Sequence, residues 1–287
     1  MSDLKFAVYG SRRQNDNVDN LRRLIISLAI EGAQVAVHEK LYDYLTCDMQ
    51  LLLPGVERVV NFPDDATMAI SVGGDGTFLR TVAWKNNHGA PILGVNTGHL
   101  GFLTAINLDE AIKDIDKILA CDFRRDHATM LQVVAPDLKG SHFALNEVVV
   151  AKEDSSSMIS VHASLNDRSI ATYRADGLVV ATPTGSTAYN LSVGGPIIEP
   201  AAPVWVLSPI AAHSLTLRPL VVCDNGELKL NVEGRGSRFR LVLDGRQTSL
   251  PLGTQVIIKK RKESVVILQR HDRDFTRIIG EKLLFNE

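Results

Sequence analysis

The sequence predicts an α/β domain with a parallel sheet over residues 1–126, followed by an all-β, sandwich-like domain over 127–269, with residues 270–287 returning to the first. Three observations predict it. Strand and helix patterns alternate through roughly the first 120 residues. After about residue 126, short runs with a period of two, separated by turn residues, replace them. At 287 residues, the chain exceeds the roughly 100–200 residues of one typical domain.

Lys5–Tyr9 is a β-prone run ended by Gly10. Val18, Leu21, Leu24, Ile25 and Leu28 fall on one helical face, and Gly32 closes that helix. Ala33–His38 and Thr67–Val72 read as strands, the second running straight into a glycine-rich turn; Phe78–Lys85 continues as helix and Pro91–Val95 as strand. Asn107 with Glu110 forms a capping-box signature ahead of an apolar face of Ile112, Ile115, Ile118 and Leu119. In the second half Leu228-Leu230-Val232, Phe239-Leu241-Leu243 and Val256-Ile258 alternate with polar residues. Asp224-Asn225-Gly226, Gly234-Arg235-Gly236, Asp244-Gly245 and Pro251-Leu252-Gly253 mark the turns. Lys259-Lys260-Arg261-Lys262 reads as a solvated hairpin turn, Ser155-Ser156-Ser157 as a loop, and Phe275–Phe285 as an apolar segment that packs elsewhere.

Composition narrows the function. An apolar content of 45% fits a folded globular protein, and 31 basic against 33 acidic side chains leave a net charge of −2. That balance argues against a nucleic-acid binder that relies on a basic field. The longest apolar stretch, Ala201–Ala212, is cut by Pro203, Ser208 and Pro209 and is too short for a membrane span of roughly 20 residues. Asp3 and Lys5 interrupt the place where a secretory signal needs its apolar core, so a cytoplasmic location is expected. Cys47, Cys121 and Cys223 lie far apart, which predicts small, partly buried thiols in a reducing compartment rather than a disulfide framework or a metal site.

The sharpest local signal is Gly73-Gly74-Asp75-Gly76-Thr77, at the end of a predicted strand and the start of a helix. Open α/β sheets bind ligands at that position. The glycines let backbone N–H groups approach an anion, and the helix N-terminus favours negative charge. Asp75 repels the phosphate such a loop attracts, unless it holds a metal or takes a proton from a hydroxyl attacking that phosphate. The plain alternative is a turn with Asp chosen for its turn propensity. A second dense segment runs from Asp176 to Pro196 (DGLVVATPTGSTAYNLSVGGP). Its small hydroxyls suit a sugar or phosphate, and Tyr189 suits a base; a polar loop followed by a short helix accounts for it equally well. Asn146 and Glu147 break an otherwise apolar strand and need partners, supplied by ribose hydroxyls or by the fold itself.

In this order and spacing the three segments resemble the bacterial NAD kinases, and the resemblance spans the chain from Lys5 to the terminal IGEKLLF. GGDGT alone also occurs in diacylglycerol, sphingosine and 6-phosphofructokinases; the TPTGSTAY segment makes the likeness specific. The resemblance implies an N-terminal α/β domain, a C-terminal β-sandwich, and transfer of the γ-phosphate of ATP to the 2′-hydroxyl of the adenosine ribose of NAD. It implies Asp75 as general base, and Gly73, Gly74, Gly76 and Thr77 around the phosphates. Asn146 and Glu147 would bind the ribose hydroxyls, and Arg174 and Asp176 the nicotinamide end. Thr187, Ala188, Tyr189 and Ser192 would line the dinucleotide pocket, with Gln247 at its edge. It further implies a divalent cation, Mg²⁺, bridging ATP oxygens with few protein ligands, and a homo-oligomer (dimer or tetramer) in which a neighbour completes part of the site. Ser157 stands where some members carry a basic residue or histidine that could reach a neighbouring subunit. NAD and ATP are the expected substrates, with no nucleic-acid or membrane partner. The rival readings are a lipid or sugar-phosphate kinase of the GGDGT group, and a catalytically inactive dinucleotide sensor.

Overall fold

The computed structural model describes residues 4–12, 17–98, 101–140, 142–153 and 157–283. It divides into two units, residues 1–127 with 265–287, and residues 128–264.

The first unit is built on β1 (Lys5–Gly10), β2 (Gln34–His38), β3 (Val56–Val59), β4 (Met68–Val72), β5 (Ile92–Asn96), β6 (Ile106–Asn107), β7 (Arg124–Ala128) and β20 (Val265–Gln269). The sheet order is β3-β2-β1-β4-β5-β20-β7, with β6 also on β5, and β1 through β6 and β20 pair in parallel. Every residue of β4 and β5 is buried, which is why their sequences are apolar apart from Ser71 and Asn96.

Helix α1 (Val18–Ile30) buries Val18, Leu21, Leu24, Ile25 and Leu28, the stripe its spacing predicts. Helix α2 (Glu39–Asp43), continued by a π-helical turn at Tyr44–Asp48, has no counterpart in the sequence reading, although Leu41, Tyr44 and Leu45 are buried at helical spacing. Helix α3 (Asp75–Lys85) begins three residues before the expected Phe78. The capping box forms, with Asn107 Oδ1 accepting from the Glu110 N–H and Glu110 Oε2 from the Asn107 N–H, both at 2.8 Å. The helix it opens is broken at Asp114 into α4 (Leu108–Lys113) and α5 (Ile115–Leu119). That break lets Ile115 and Ile118 enter the core while Ile112 stays half-buried.

The second unit contains two six-stranded antiparallel sheets. One comprises β8 (Leu131–Val134), β9 (His142–Ala144), β11 (Ile159–Leu165), β12 (Arg168–Ala175), β16 (Glu227–Gly234) and β19 (Gln255–Lys260), in the order β12-β11-β16-β19-β8-β9. The other comprises β10 (Glu147–Lys152), β13 (Gly177–Ala181), β14 (Val204–Ile210), β15 (Leu220–Cys223), β17 (Arg238–Leu243) and β18 (Arg246–Pro251), in the order β15-β14-β13-β10-β17-β18. Their inner faces share one core, with Val161, Leu230 and Ile258 from the first sheet and Val150, Val180, Trp205 and Leu241 from the second. The outer face of β10, β13 and β14 is also covered, because Val193 and Ile198 pack on Val149, Val179 and Val206. Helix α6 (Tyr189–Ser192) lies in the segment that carries this cover.

The structure differs from the sequence reading at three further places. Val265–Gln269, assigned from its pattern to the sandwich, pairs in parallel with β5, so the chain re-enters the first sheet at Val265 rather than at 270. Lys259–Lys262 is therefore no hairpin turn. It links strands of different sheets, and Arg261 is buried with its guanidinium 3.9 Å from the centre of the Phe143 ring. Helix α7 (Phe275–Leu283) buries Ile278 and half-buries Phe275, Ile279 and Leu283; Leu284 and Phe285 lie outside the described residues. Cys121 is half-buried as expected, whereas Cys47 and Cys223 are exposed. Ser155 and Ser156 also lie outside the described residues, and Ser157 is half-buried in a loop. Among the described residues, no helix is long and apolar enough to cross a membrane.

Candidate active site

In the first unit the site grows out of the end of β4. Gly73 turns the chain at φ +144°, and its N–H donates to the Val95 carbonyl at 2.8 Å. A side chain here would meet Thr77 Oγ1 at 2.6 Å, so glycine is required for both conformation and space. Gly74 caps α3, its carbonyl accepting from the N–H groups of Thr77 and Phe78. Gly74 and Gly76 are exposed and Thr77 is buried, so the helix N-terminus presents bare backbone.

Asp75 is the first residue of α3, and the loop after β5 holds its carboxylate. Oδ2 accepts from the Phe102 N–H at 2.9 Å, and Oδ1 from the Leu103 N–H at 3.1 Å. A Cβ on Gly101 would lie 1.9 Å from Asp75 Oδ1, so only glycine lets the loop come this close. Each carboxylate oxygen still has a further lone pair for a ligand. Two cations stand nearby. Arg80 donates to Thr77 Oγ1 at 2.9 Å, and Lys282 of α7 is near enough to feel the charge of Asp75. Burial pushes the Lys282 ammonium below its ordinary range, and Asp75 partly offsets that.

In the second unit Asn146 and Glu147 are both buried at the start of β10. The Asp244 carboxylate organises their backbone, accepting from the N–H groups of Leu145 (2.7 Å), Asn146 (2.8 Å) and Glu147 (3.2 Å). Asp244 and Gly245, at φ +47° and +79°, form the tight turn between β17 and β18, and that turn delivers the carboxylate. Opposite them, Thr182 Oγ1 donates to the Leu145 carbonyl at 2.6 Å, and Gly185 packs so closely that a Cβ would meet the Asn146 carbonyl oxygen at 2.0 Å. Asn190 ties the loop together, donating to the Ser186 and Pro196 carbonyls and accepting from Ser208 Oγ. This framework leaves two buried acceptors, Asn146 Oδ1 and Glu147 Oε2, without a hydrogen-bond partner among the described residues. Such orphans need an explanation, and a ligand that supplies hydroxyl donors provides one.

Burial pushes the Glu147 carboxyl up to about 7, with the nearby Asp244 charge adding to the shift and a hydrogen bond from the Tyr189 N–H opposing it. Burial likewise pushes Asp244 up, against the pull of its three amides. Folded Glu147 thus keeps its proton to about pH 7, whereas the unfolded chain releases it near 4.5. Its contribution to stability is full below pH 4.5 and is lost as pH rises through 7. Glu147→Gln removes the charged form. We expect the variant to exceed the parent in unfolding free energy by on the order of 3 kcal/mol at pH 8, a gap that closes toward pH 4.5. Denaturant unfolding across pH checks this, and a gap independent of pH contradicts it.

The remaining predicted residues fall around this centre in different ways. Thr187 and Ala188 are half-buried, Ser192 is exposed and the Tyr189 ring is 42% exposed, all on the segment above β10 and β13. Gln247 is exposed on β18, across β17 from β10. Asp176 and Arg174 are not gathered with Asn146 and Glu147. Glu147 pairs with Ala181, but Gly177 pairs with Ala151, so Asp176, opposite Lys152, sits beyond the far end of the strand pair, roughly 17 Å away at 3.3 Å per residue. There Asp176 pairs with Lys152 at 2.7 Å, and Arg174 is exposed. Asp244, the Gly101–Leu103 loop, Arg80 and Lys282 escape the sequence reading. A Gly98/Gly101 pair just after a buried strand, echoing Gly73/Gly74 after β4, is the signal that points to the loop.

Among the described residues no three His, Cys, Asp or Glu side chains gather as a protein-built metal site requires.

Residues 55–123 match the ATP-NAD kinase N-terminal domain, and residues 145–269 the ATP-NAD kinase C-terminal domain. An NAD kinase of Porphyromonas gingivalis is 40% identical over 282 residues, covering 98% of both chains. One of Bacteroides fragilis is 37% identical over 284 residues at the same coverage. The crystal structure of an NAD kinase from Archaeoglobus fulgidus in complex with ATP aligns with a TM-score of 0.74 at 25% identity, covering 97% of this chain and 98% of that one. Yeast NADH kinase complexed with NADH shares the fold, with a TM-score of 0.87 at 23% identity over 99% of this chain and 88% of that one. With both domains matched in order and the likeness running nearly end to end, the chain belongs to the NAD kinase family.

Proposed function

We propose that this protein transfers the γ-phosphoryl group of ATP to the 2′-hydroxyl of the adenosine ribose of NAD, giving NADP and ADP. The observation that carries the reading is the pair of orphan acceptors, Asn146 Oδ1 and Glu147 Oε2, which match the hydroxyl donors of a ribose. The exposed ring of Tyr189 suits stacking on a base, with Thr187, Ala188 and Ser192 beside it and Gln247 at the edge. Arg174 and Asp176, at the far end of β13, suit the nicotinamide half of an extended dinucleotide.

Asp75 is the general base. Two amides hold its carboxylate, so the base is oriented before the substrate arrives. The 2′-oxygen forms a bond to the γ-phosphorus, the bond from that phosphorus to the bridging oxygen breaks and ADP leaves. The hydroxyl proton passes to Asp75. Gly74 and Gly76 at the head of α3 offer backbone donors to the phosphates, Gly73 and Thr77 shape the turn that presents them, and Arg80 stands one turn further on. A divalent cation such as Mg²⁺, bound with the nucleotide, would neutralise phosphate charge. A homo-oligomer and a cytoplasmic location complete the proposal.

A coupled assay for NADP with purified protein tests it, using ATP or polyphosphate as donor and NAD, NADH, diacylglycerol or fructose 6-phosphate as acceptor. ATP-dependent formation of NADP is the expected result. Tight NAD binding without product at saturating Mg·ATP would favour a sensor instead. Gly101→Ala supplies an independent check. The added methyl pushes Asp75 out of its cradle, so kcat falls on the order of 10²-fold while NAD binding, measured by titration calorimetry, is retained.

A further inference from the structure

We propose that Arg273 is a positioning residue for phosphoryl transfer: from the C-terminal segment it fixes the Gly101–Thr104 loop whose amides hold Asp75. This rests on the reading of Asp75 as base. Arg273 is 5% exposed, and its Nη1 donates to the Thr104 carbonyl at 3.1 Å. The amides of Phe102 and Leu103, immediately before Thr104, hold the two oxygens of Asp75. Thr104 closes the loop on itself, its Oγ1 accepting from the Gly101 N–H at 2.7 Å.

A second arginine fastens the same segment. Arg270 Nη1 donates to Glu110 Oε1 at 3.1 Å, while the other oxygen of Glu110 caps Asn107 at the start of α4. Residues 270–273 thus grip the chain at Thr104, where the loop that cradles Asp75 ends, and again at Glu110 in the helix that follows.

The burial of Arg273 is poorly compensated as a matter of stability alone. Its ion pair with Glu281 is long, at 3.5 Å, and its Nε has no hydrogen-bond partner among the described residues. An apolar side chain of similar volume would fill this place at lower electrostatic cost. The carbonyl it grips accounts for the charge. Arg273 also lines a cavity of about 180 Å³ with Glu110, Arg270, Arg277 and Glu281, large enough to admit a free guanidinium ion.

Arg273→Ala and Arg273→Lys in the full chain test this, with Asp75→Asn as reference. For Arg273→Ala we expect kcat to fall on the order of 10²-fold, with KM for NAD and for ATP within about threefold of the parent. Arg273→Lys, which still reaches a carbonyl, recovers part of the loss. Added guanidinium at millimolar concentration restores turnover to Arg273→Ala and not to Asp75→Asn. Amide exchange over residues 101–105 accelerates in Arg273→Lys while β4 keeps its protection. If the alanine variant does not fold, the exchange pattern and the kcat of the lysine variant decide. Wild-type kcat in Arg273→Ala, or a loss without rescue accompanied by faster exchange throughout the first unit, overturns the proposal. Absence of NADP formation by the parent, or full turnover by Asp75→Asn, refutes the underlying reading instead.

Discussion

Asp75→Asn is expected to bind NAD as the parent does and to lose roughly 10²–10⁴-fold in turnover, the range of a general base. An amide keeps the shape and one acceptor oxygen, so the Phe102 or Leu103 amide still has a partner, but it cannot take the proton of the attacking hydroxyl. Titration calorimetry for binding and the coupled assay for turnover separate the two effects. Near-normal turnover with unchanged affinity would remove Asp75 from the role.

The largest expected effect on stability lies at a residue with no assigned chemistry. Asp244→Ala strands the N–H groups of Leu145, Asn146 and Glu147. At about 1–3 kcal/mol for each unsatisfied buried donor, the loss should reach about 3–9 kcal/mol, a large share of a domain's stability. Asp244→Asn should lose less. It tolerates the positive φ and keeps an oxygen for two of the three amides, while setting an NH₂ group against a third donor. Urea unfolding of both variants measures this. A loss below about 1 kcal/mol for the alanine variant would mean that water or a rearranged turn satisfies the amides. NAD affinity should fall with stability in Asp244→Ala, since the same carboxylate sets the direction of Asn146 and Glu147.

What was legible in the sequence was local. The five apolar residues of α1, the capping box at Asn107 and the glycine turn after β4 are each specified within a few residues, and each forms. Leu178–Ala181 is an unbroken apolar run in the sequence, and the strand it forms is buried because both of its faces are covered. The parts missed depend on contacts distant in sequence. Asp244 reads as a turn residue, and its grip on three amides exists only because β17 pairs with β10, nearly a hundred residues earlier. Val265–Gln269 has the pattern of any buried strand, and nothing in that pattern tells which sheet receives it. Lys259–Lys262 looks solvated because charge density was the only cue, whereas Arg261 stacks on Phe143 from another strand. The cradle of Asp75 was hidden because its donors are backbone groups, which leave no side-chain signature beyond the glycine that makes room for them.

The near-neutral charge of the chain gains meaning from the site. On the proposed function, anionic ligands would be met by a helix N-terminus, bare glycine backbone, Arg80 and Lys282 rather than by a basic surface.

A crystal structure with NAD bound tests the central claim most directly. The account predicts the adenosine 2′-hydroxyl within hydrogen-bond distance of the Asp75 carboxylate, with the ribose on Asn146 and Glu147. A dinucleotide bound with that hydroxyl remote from Asp75, or with Asn146 Oδ1 and Glu147 Oε2 still unpaired, would contradict it.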